Sequence, residues 1–242
     1  MDILFVVLLL LAEIVGTVGG FGSSMLLVPL ASYFYPFQEV LLLTATIHII
    51  SNTSKLILFH KHFSWKTILL IGIPSVLFVL PAAYFSKHLT NISANLYLGI
   101  FLIVFSVVLL VKKNIVLKTS STNCIIAGSV SGFFAGLLGT GGAIRGIMLA
   151  AFNLEKSIFV TTSAAIDFSI DLSRFFVYKS QTSFSNFSLT SLLVLICVAF
   201  VGSYLGKLIL KKINAEQFKK IVLVLILCVG IVNIYSFVIQ KI

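Results

Sequence analysis

The sequence predicts an all-α, polytopic integral membrane protein made of two inverted repeats, each a glycine-broken re-entrant helical hairpin followed by three transmembrane helices. Composition, uncharged runs and an internal repeat predict it. Of 242 residues, 59% are hydrophobic and 10% charged, with a mean hydropathy of +1.15. A soluble domain carries about 25% charged residues, so this chain lacks the polar surface to cover a water-facing core. Residues 14–38, 67–86, 89–111, 119–144, 180–206 and 221–240 contain no Asp, Glu, Lys or Arg. Each run is spanning length or close to it, and each is continuously apolar rather than alternating, which excludes a membrane barrel. The first apolar stretch follows Asp2 without a basic residue and ends without a small-residue cleavage site, so residues 1–20 read as mature structure.

The repeat is the most informative feature. Residues 16–22 (Gly-Thr-Val-Gly-Gly-Phe-Gly) recur 120 positions later at 136–142 (Gly-Leu-Leu-Gly-Thr-Gly-Gly). At an offset of 119, His48, Asn52, Ser54 and Lys55 align with Asp167, Asp171, Ser173 and Arg174; at 121, Ile92 and Ala94 meet Ile213 and Ala215. The units are therefore 1–115 and 120–242, forming a single membrane domain, with a polar link over 112–123. In order, the first unit reads as a broken element (3–18, then 23–35) and helices over 39–60, 66–86 and 93–111. The second reads as 123–138 then 143–152, and helices over 156–178, 185–210 and 214–239.

Charge selects the topology. With re-entrant broken elements and the N-terminus outside, the inner face holds lysines 61, 66, 112, 113, 118, 156, 207, 211, 212, 219 and 220, and the outer face only 87, 179 and 241. Cytoplasmic loops carry such an excess. If each broken element crossed once, the same lysines would divide evenly. Two full crossings per element preserve the count, but the arms are short for that. Three spanning helices per unit start the second unit from the opposite face, so the repeats are inverted and the glycine tips approach one another near the midplane, where transporters bind substrate.

A helix starting just past Gly22 or Gly142 offers unpaired amides and a positive dipole end, and glycine admits a ligand close to the backbone, so an anion is the natural guest of Gly19, Gly20, Gly22, Gly139, Gly141 and Gly142. One such cluster more often marks helix packing; two at matched positions reverse that preference. The ionisable residues inside apolar segments are Glu13, His48, Lys55, Arg145, Asp167, Asp171 and Arg174, and residues of this kind face cavities or partners. His48, Asn52 and Lys55 share one helical stripe, repeated by Asp167, Asp171 and Arg174. Arg145, three residues past Gly142, repels the helix dipole unless an anion or carboxylate such as Asp171 or Glu13 intervenes, and it ranks first among anion contacts, followed by Arg174 and Asn52. His48, Asp167 and Asp171 are placed to carry or gate a proton. The bland alternatives are a structural Asp171–Arg174 pair, a Lys55 that snorkels to the inner face, and a Glu13 that is only a structural partner. Cys124, Cys197 and Cys228 stand singly and read as core packing, with no metal or redox pair and no cofactor. The +10 net charge sits in short loops that topology explains, so no nucleic acid is implied.

At these residues the chain resembles the TauE/SafE family of sulfite exporters, also described as 4-toluene sulfonate uptake permeases. The resemblance rests on the two glycine breaks, Gly19-Gly20-Phe21-Gly22 and Gly139-Thr140-Gly141-Gly142, and on the following hydroxyl-bearing helices, Thr44-Ala45-Thr46 and Thr161-Thr162-Ser163. Pro29 fits the proline after the family's first glycine cluster; Leu149 stands where a second is expected, and Arg145 is foreign to that motif. The resemblance implies a cell-membrane permease, not an enzyme, that moves sulfite, sulfoacetate or other organosulfonates, coupled to protons. A secondary transporter for small anions is the expectation; a passive anion channel and, behind it, a membrane-embedded enzyme using His48, Asp167 and Asp171 are the rivals.

Overall fold

The computed structural model describes residues 3–19, 22–59, 63–111, 120–150, 152, 154, 156–210, 212 and 215–241. Among them there is no strand. The helices are α1 (Ile3–Gly19), α2 (Ser24–Ala31), α3 (Phe37–Phe59), α4 (Trp65–His88), α5 (Asn91–Val111), α6 (Ser121–Leu138), α7 (Gly142–Ala150), α8 (Lys156–Gln181), α9 (Leu189–Leu210) and α10 (Ala215–Lys241). Four of them, α3, α4, α6 and α9, are long and apolar enough to cross a membrane; α1 and parts of α5 and α10 are shorter apolar helices. Gly20, Phe21, Ile213, residues 112–119 of the link and lysines 61, 112, 113, 118 and 211 lie outside the described residues.

The bundle keeps the ionisable side chains of its apolar segments inside, among apolar clusters, and turns further apolar side chains outward. Glu13, His48, Lys55, Arg145, Asp167, Asp171 and Arg174 are all buried, while Leu77 is 63% and Phe176 65% exposed. That arrangement is what a lipid solvent selects, because a bilayer rewards no burial of apolar side chains and penalises every exposed charge. It corrects one sequence expectation: only Cys124 is buried, whereas Cys197 and Cys228 lie on the outward surface. The free-thiol burial preference describes water-facing proteins, and a weakly polar thiol is equally at ease against hydrocarbon.

Helix directions follow from residue pairings. α6 lies beside α4, with Gly128, Gly132 and Gly136 set directly against the backbone of Ile71, Ser75 and Val79, so the two helices run parallel. α9 lies beside α1 in the same sense: a Cβ at Gly202 would stand 2.6 Å from Glu13 Cβ, and one at Gly206 2.7 Å from Thr17 Cβ. Glycines four apart let backbones approach this closely. This small-residue spacing was visible in the sequence but was not read there. α3 and α8 run antiparallel through the centre, and α5 and α10 pack together at one side.

The chain doubles back at each glycine break. Gly16 packs on the backbone of Ser23, and Phe5 meets Tyr35 edge-on at 5.2 Å, so the chain returns to the end where α1 began. Gly141 likewise packs against the Ser131 carbonyl of α6. Gly139 ends α6 at φ 74°, and Gly22 precedes α2 at φ 80°; both conformations favour glycine. Ser120 caps the start of α6, its hydroxyl accepting the Asn123 amide at 3.2 Å. α2 and α7 pack on each other.

Loops gather at two ends. At one, Gln38 Nε2 donates to the Ser86 carbonyl at 2.5 Å, and Glu39 accepts from the Asn186 backbone (2.8 Å) and amide side chain (2.5 Å). That contact holds residues 185–188 outside α9, where the sequence suggested helix. At the other end, Ser64 N donates to Thr162 Oγ1 at 3.2 Å, and Lys207 Nζ donates to the Leu58 carbonyl at 2.6 Å near the close of α3. A π turn at Ile68–Gly72 immediately precedes Pro74, which removes an amide from the ladder.

Replacing Gly132 with Ala is expected to lower the melting temperature of the detergent-purified protein, at a cost of about 1–3 kcal/mol, because a methyl meets the Ser75 backbone and neither helix can retreat alone. An unchanged melting temperature would contradict the close α4–α6 contact.

Candidate functional site

The two doubled-back elements and the central pair α3–α8 enclose a cavity of about 320 Å³. Of the residues singled out in the sequence, Gly22, His48, Asn52, Gly139, Gly141, Gly142, Arg145, Asp167, Asp171 and Arg174 line it, joined by Ser23, Ser24, Lys55 and Ala135. Gly19 closes α1. A second cavity of about 260 Å³ shares Gly22, Asn52, Lys55 and Asp167 with the first and adds Gly16, Thr17, Val160, Ser163 and Ala164. The buried Thr17 hydroxyl in its wall has no hydrogen-bond partner.

Arg174, 1% exposed, has every guanidinium nitrogen engaged. Nε donates to Asp171 Oδ1 at 2.9 Å, Nη1 to the carbonyls of Ala135 (3.2 Å) and Gly139 (2.9 Å), and Nη2 to His48 Nδ1 at 3.1 Å while lying 2.7 Å from Asp171. Tyr178, one turn further along α8, donates to the Gly136 carbonyl at 2.6 Å. Together they satisfy the orphan carbonyls at the end of α6, whose glycines leave the backbone open to side chains. Asp171 Oδ2 accepts from Asn52 Nδ2 at 2.8 Å, so the aligned stripes of α3 and α8 meet face to face.

His48 is fixed by its neighbours. A guanidinium can only donate, so Nδ1 accepts and the ring hydrogen sits on Nε2, facing Ser23 Oγ at 2.9 Å. Ser23 in turn donates to Glu13 Oε1 at 2.6 Å, and Ser51 to Glu13 Oε2 at 2.5 Å. The imidazole therefore sits between two carboxylates, Asp171 at 4.0 Å and Glu13 at 3.9 Å. His48 and Asp167 line the same cavity, and the carboxylates within 4.0 Å of the imidazole are those of Asp171 and Glu13. Sequence reasoning missed Ser23, which stands at the start of α2 but whose hydroxyl makes no capping bond there. Its proximity to Gly22 is the only signal that pointed to it.

Arg145 reaches the centre from α7. Its Nη2 pairs with Asp167 Oδ1, not with Asp171 or Glu13, and its Nε and Nη1 are buried without a partner. Asp167 also accepts from the Ser163 hydroxyl at 3.3 Å. Lys55 is 6% exposed, lines both cavities and has no hydrogen-bond or ion-pair partner among the described residues.

An apolar-jacketed helical bundle with a charged, glycine-walled central cavity belongs to the class of multi-pass membrane proteins. More particularly, residues 4–232 match the family model described as "Sulfite exporter TauE/SafE", and the chain belongs to that family of membrane transporters. No curated protein and no solved structure matches it.

Tyr178→Phe is expected to lower the melting temperature by the equivalent of about 1 kcal/mol, since it removes the side-chain donor to the Gly136 carbonyl at the α6 end while Arg174 still serves Ala135. Circular dichroism melts in detergent would check this, and a variant as stable as wild type would remove Tyr178 from the clamp.

Proposed function

We propose that the protein is a secondary transporter for small oxyanions such as sulfite and organosulfonates, coupled to protons and working by alternating access around two opposed re-entrant hairpins. One observation carries it: Arg145 lines the cavity beside the α7 N-terminus together with Gly22, Gly139, Gly141 and Gly142, and two of its buried guanidinium nitrogens have no partner among the described residues. A guanidinium in such a place opposes the helix dipole, and Asp167 offsets it through one nitrogen only; an oxyanion bridging Arg145 to the first-turn amides satisfies what that single contact leaves open. Gly22, Gly141 and Gly142 supply backbone to that anion, and Asn52 a side-chain amide. Arg174, with all its nitrogens engaged, is assigned to holding the cavity wall rather than to the anion. His48, Asp167 and Asp171 hold or gate the proton.

The inverted-repeat reading, with units 1–115 and 120–242, is supported by the way contacts recur. α1 packs on α9 as α6 packs on α4, and α3–α8 and α5–α10 each join matched helices of the two units. The half-depth reading is supported by length: the return arms α2 and α7, of 8 and 9 residues, rise only about 12 and 14 Å, short of a hydrocarbon core of about 30 Å. In a cytoplasmic membrane with the N-terminus outside, the loops at Thr90 and Ser185 face outward and those at Ser64 and Leu154 inward.

Two experiments test this. Arg145→Ala is expected to abolish sulfite and sulfonate movement in proteoliposomes while the protein still inserts and elutes as a folded species; wild-type flux would refute the anion site, and flux indifferent to an imposed pH gradient would make the protein a channel. Single cysteines at Thr90 or Ser185 should react with impermeant maleimide only from outside, and at Ser64 or Leu154 only from inside. Labelling of Thr90 and Ser185 cysteines from opposite sides would overturn the topology.

A further inference from the structure

The two buried guanidinium–carboxylate pairs at the centre are unalike. Arg174–Asp171 is fastened on all sides: the arginine to two helix-end carbonyls and His48, the aspartate to Asn52. Arg145–Asp167 is not. Arg145 gives one nitrogen to the pair and leaves two unpartnered, and Asp167 receives only that nitrogen and the longer Ser163 contact among the described residues. Asp167 also lines both cavities, so its carboxylate lies at their shared boundary. Lys55 lies at the same boundary without a partner.

We infer that Asp167 is a tethered stand-in for the transported anion: its carboxylate occupies the substrate's place on Arg145, and an incoming oxyanion displaces it as Asp167 accepts a proton. The inference rests on the anion-site reading of the cavity and adds to it the group that couples and the sign of the coupling. A carboxylate released from its guanidinium would face the substrate's negative charge across a cavity only a few atoms wide, in a medium that screens poorly, so the two anions do not share the space. Protonation resolves the conflict. The carboxylate gains one O–H bond, Arg145 exchanges one oxyanion partner for another, and no other bond is made or broken. Proton and anion therefore bind together and travel in the same direction, and the freed Arg145 with Lys55 matches an oxyanion of up to two negative charges.

The charged and titratable groups around Asp167 are Arg145 from α7, His48 and Lys55 from α3, and Asp171 and Arg174 from α8 itself. α4, also packed on α8, brings no ionisable side chain to either cavity, and nor does α6. Of these groups, His48 and Asp171 are locked into the other pair, which leaves Asp167 as the group whose partner the substrate replaces.

The test is binding of sulfate, thiosulfate and methanesulfonate, whose own charge is constant near neutrality, to the detergent-purified protein by calorimetry across a pH series. Wild type is expected to bind about tenfold more tightly for each pH unit lowered, the slope of one linked proton. Asp167→Asn, which is neutral and cannot compete for Arg145, should bind with no such slope and at least as tightly as wild type at the acid end. A wild-type affinity independent of pH, or an Asp167→Asn protein that keeps the slope, overturns the displacement. If those results come with binding that Arg145→Ala abolishes, the anion site itself survives; if none of the three anions binds wild type at any pH, both readings fall. The wild-type pH series needs no variant to fold.

Discussion

Arg174 holds the centre together. From one position on α8 it grips the end of α6, orients Asp171 toward Asn52 on α3, and fixes the proton position on His48, which in turn faces Ser23 and Glu13 near the first glycine break. Remove it and α3, α6 and α8 lose a common partner. In water such a residue would be one exposed ion pair among many, contributing little. In a bundle jacketed by hydrocarbon, each polar group it satisfies has no solvent to turn to, so the arrangement of α3, α6 and α8 around it is obligatory rather than optional.

The glycine contacts perform the complementary task. Lipid offers no hydrophobic gain for bringing helices together, so α4–α6 and α1–α9 rely on backbone-to-backbone approach, which only residues without side chains permit. Drawing these pairs tight positions the two breaks: α6 delivers Gly139 to Arg174, and α1 delivers Glu13 to Ser23 and Ser51. Packing at the periphery and polarity at the centre are thus two consequences of the same solvent.

The sequence made the helices and the breaks legible because both are signals along the chain. Apolar length located α3, α4, α5, α9 and α10 to within a few residues, and glycine clusters located the turns; the repeat offset put Asn52 opposite Asp171, where they bond. What it left illegible depends on depth and rotation between helices. Periodicity placed Arg145, Asp167, Asp171 and Glu13 near one another but did not choose among the carboxylates, since all lie within reach of a long guanidinium. Ser23 carried no signal of its own, and only its neighbours across the bundle show that Glu13 and His48 claim its hydroxyl. Cys197 and Cys228 were misplaced because a scale learned in water does not apply to a face that meets lipid.

The tie between α3 and α8 is extended by the loops that follow them: Glu39 of α3 holds Asn186 in the loop after α8, His48 and Asn52 meet Arg174 and Asp171 in the middle, and Ser64, in the loop after α3, meets Thr162 near the start of α8. Such a pair behaves as a keel. In the alternating-access reading proposed above, the parts that swing pivot around this stiff spine instead of bending it. The neighbouring π turn at Ile68–Gly72 in α4, where the ladder is already loosened ahead of Pro74, then becomes the natural place for the outer ribs to flex.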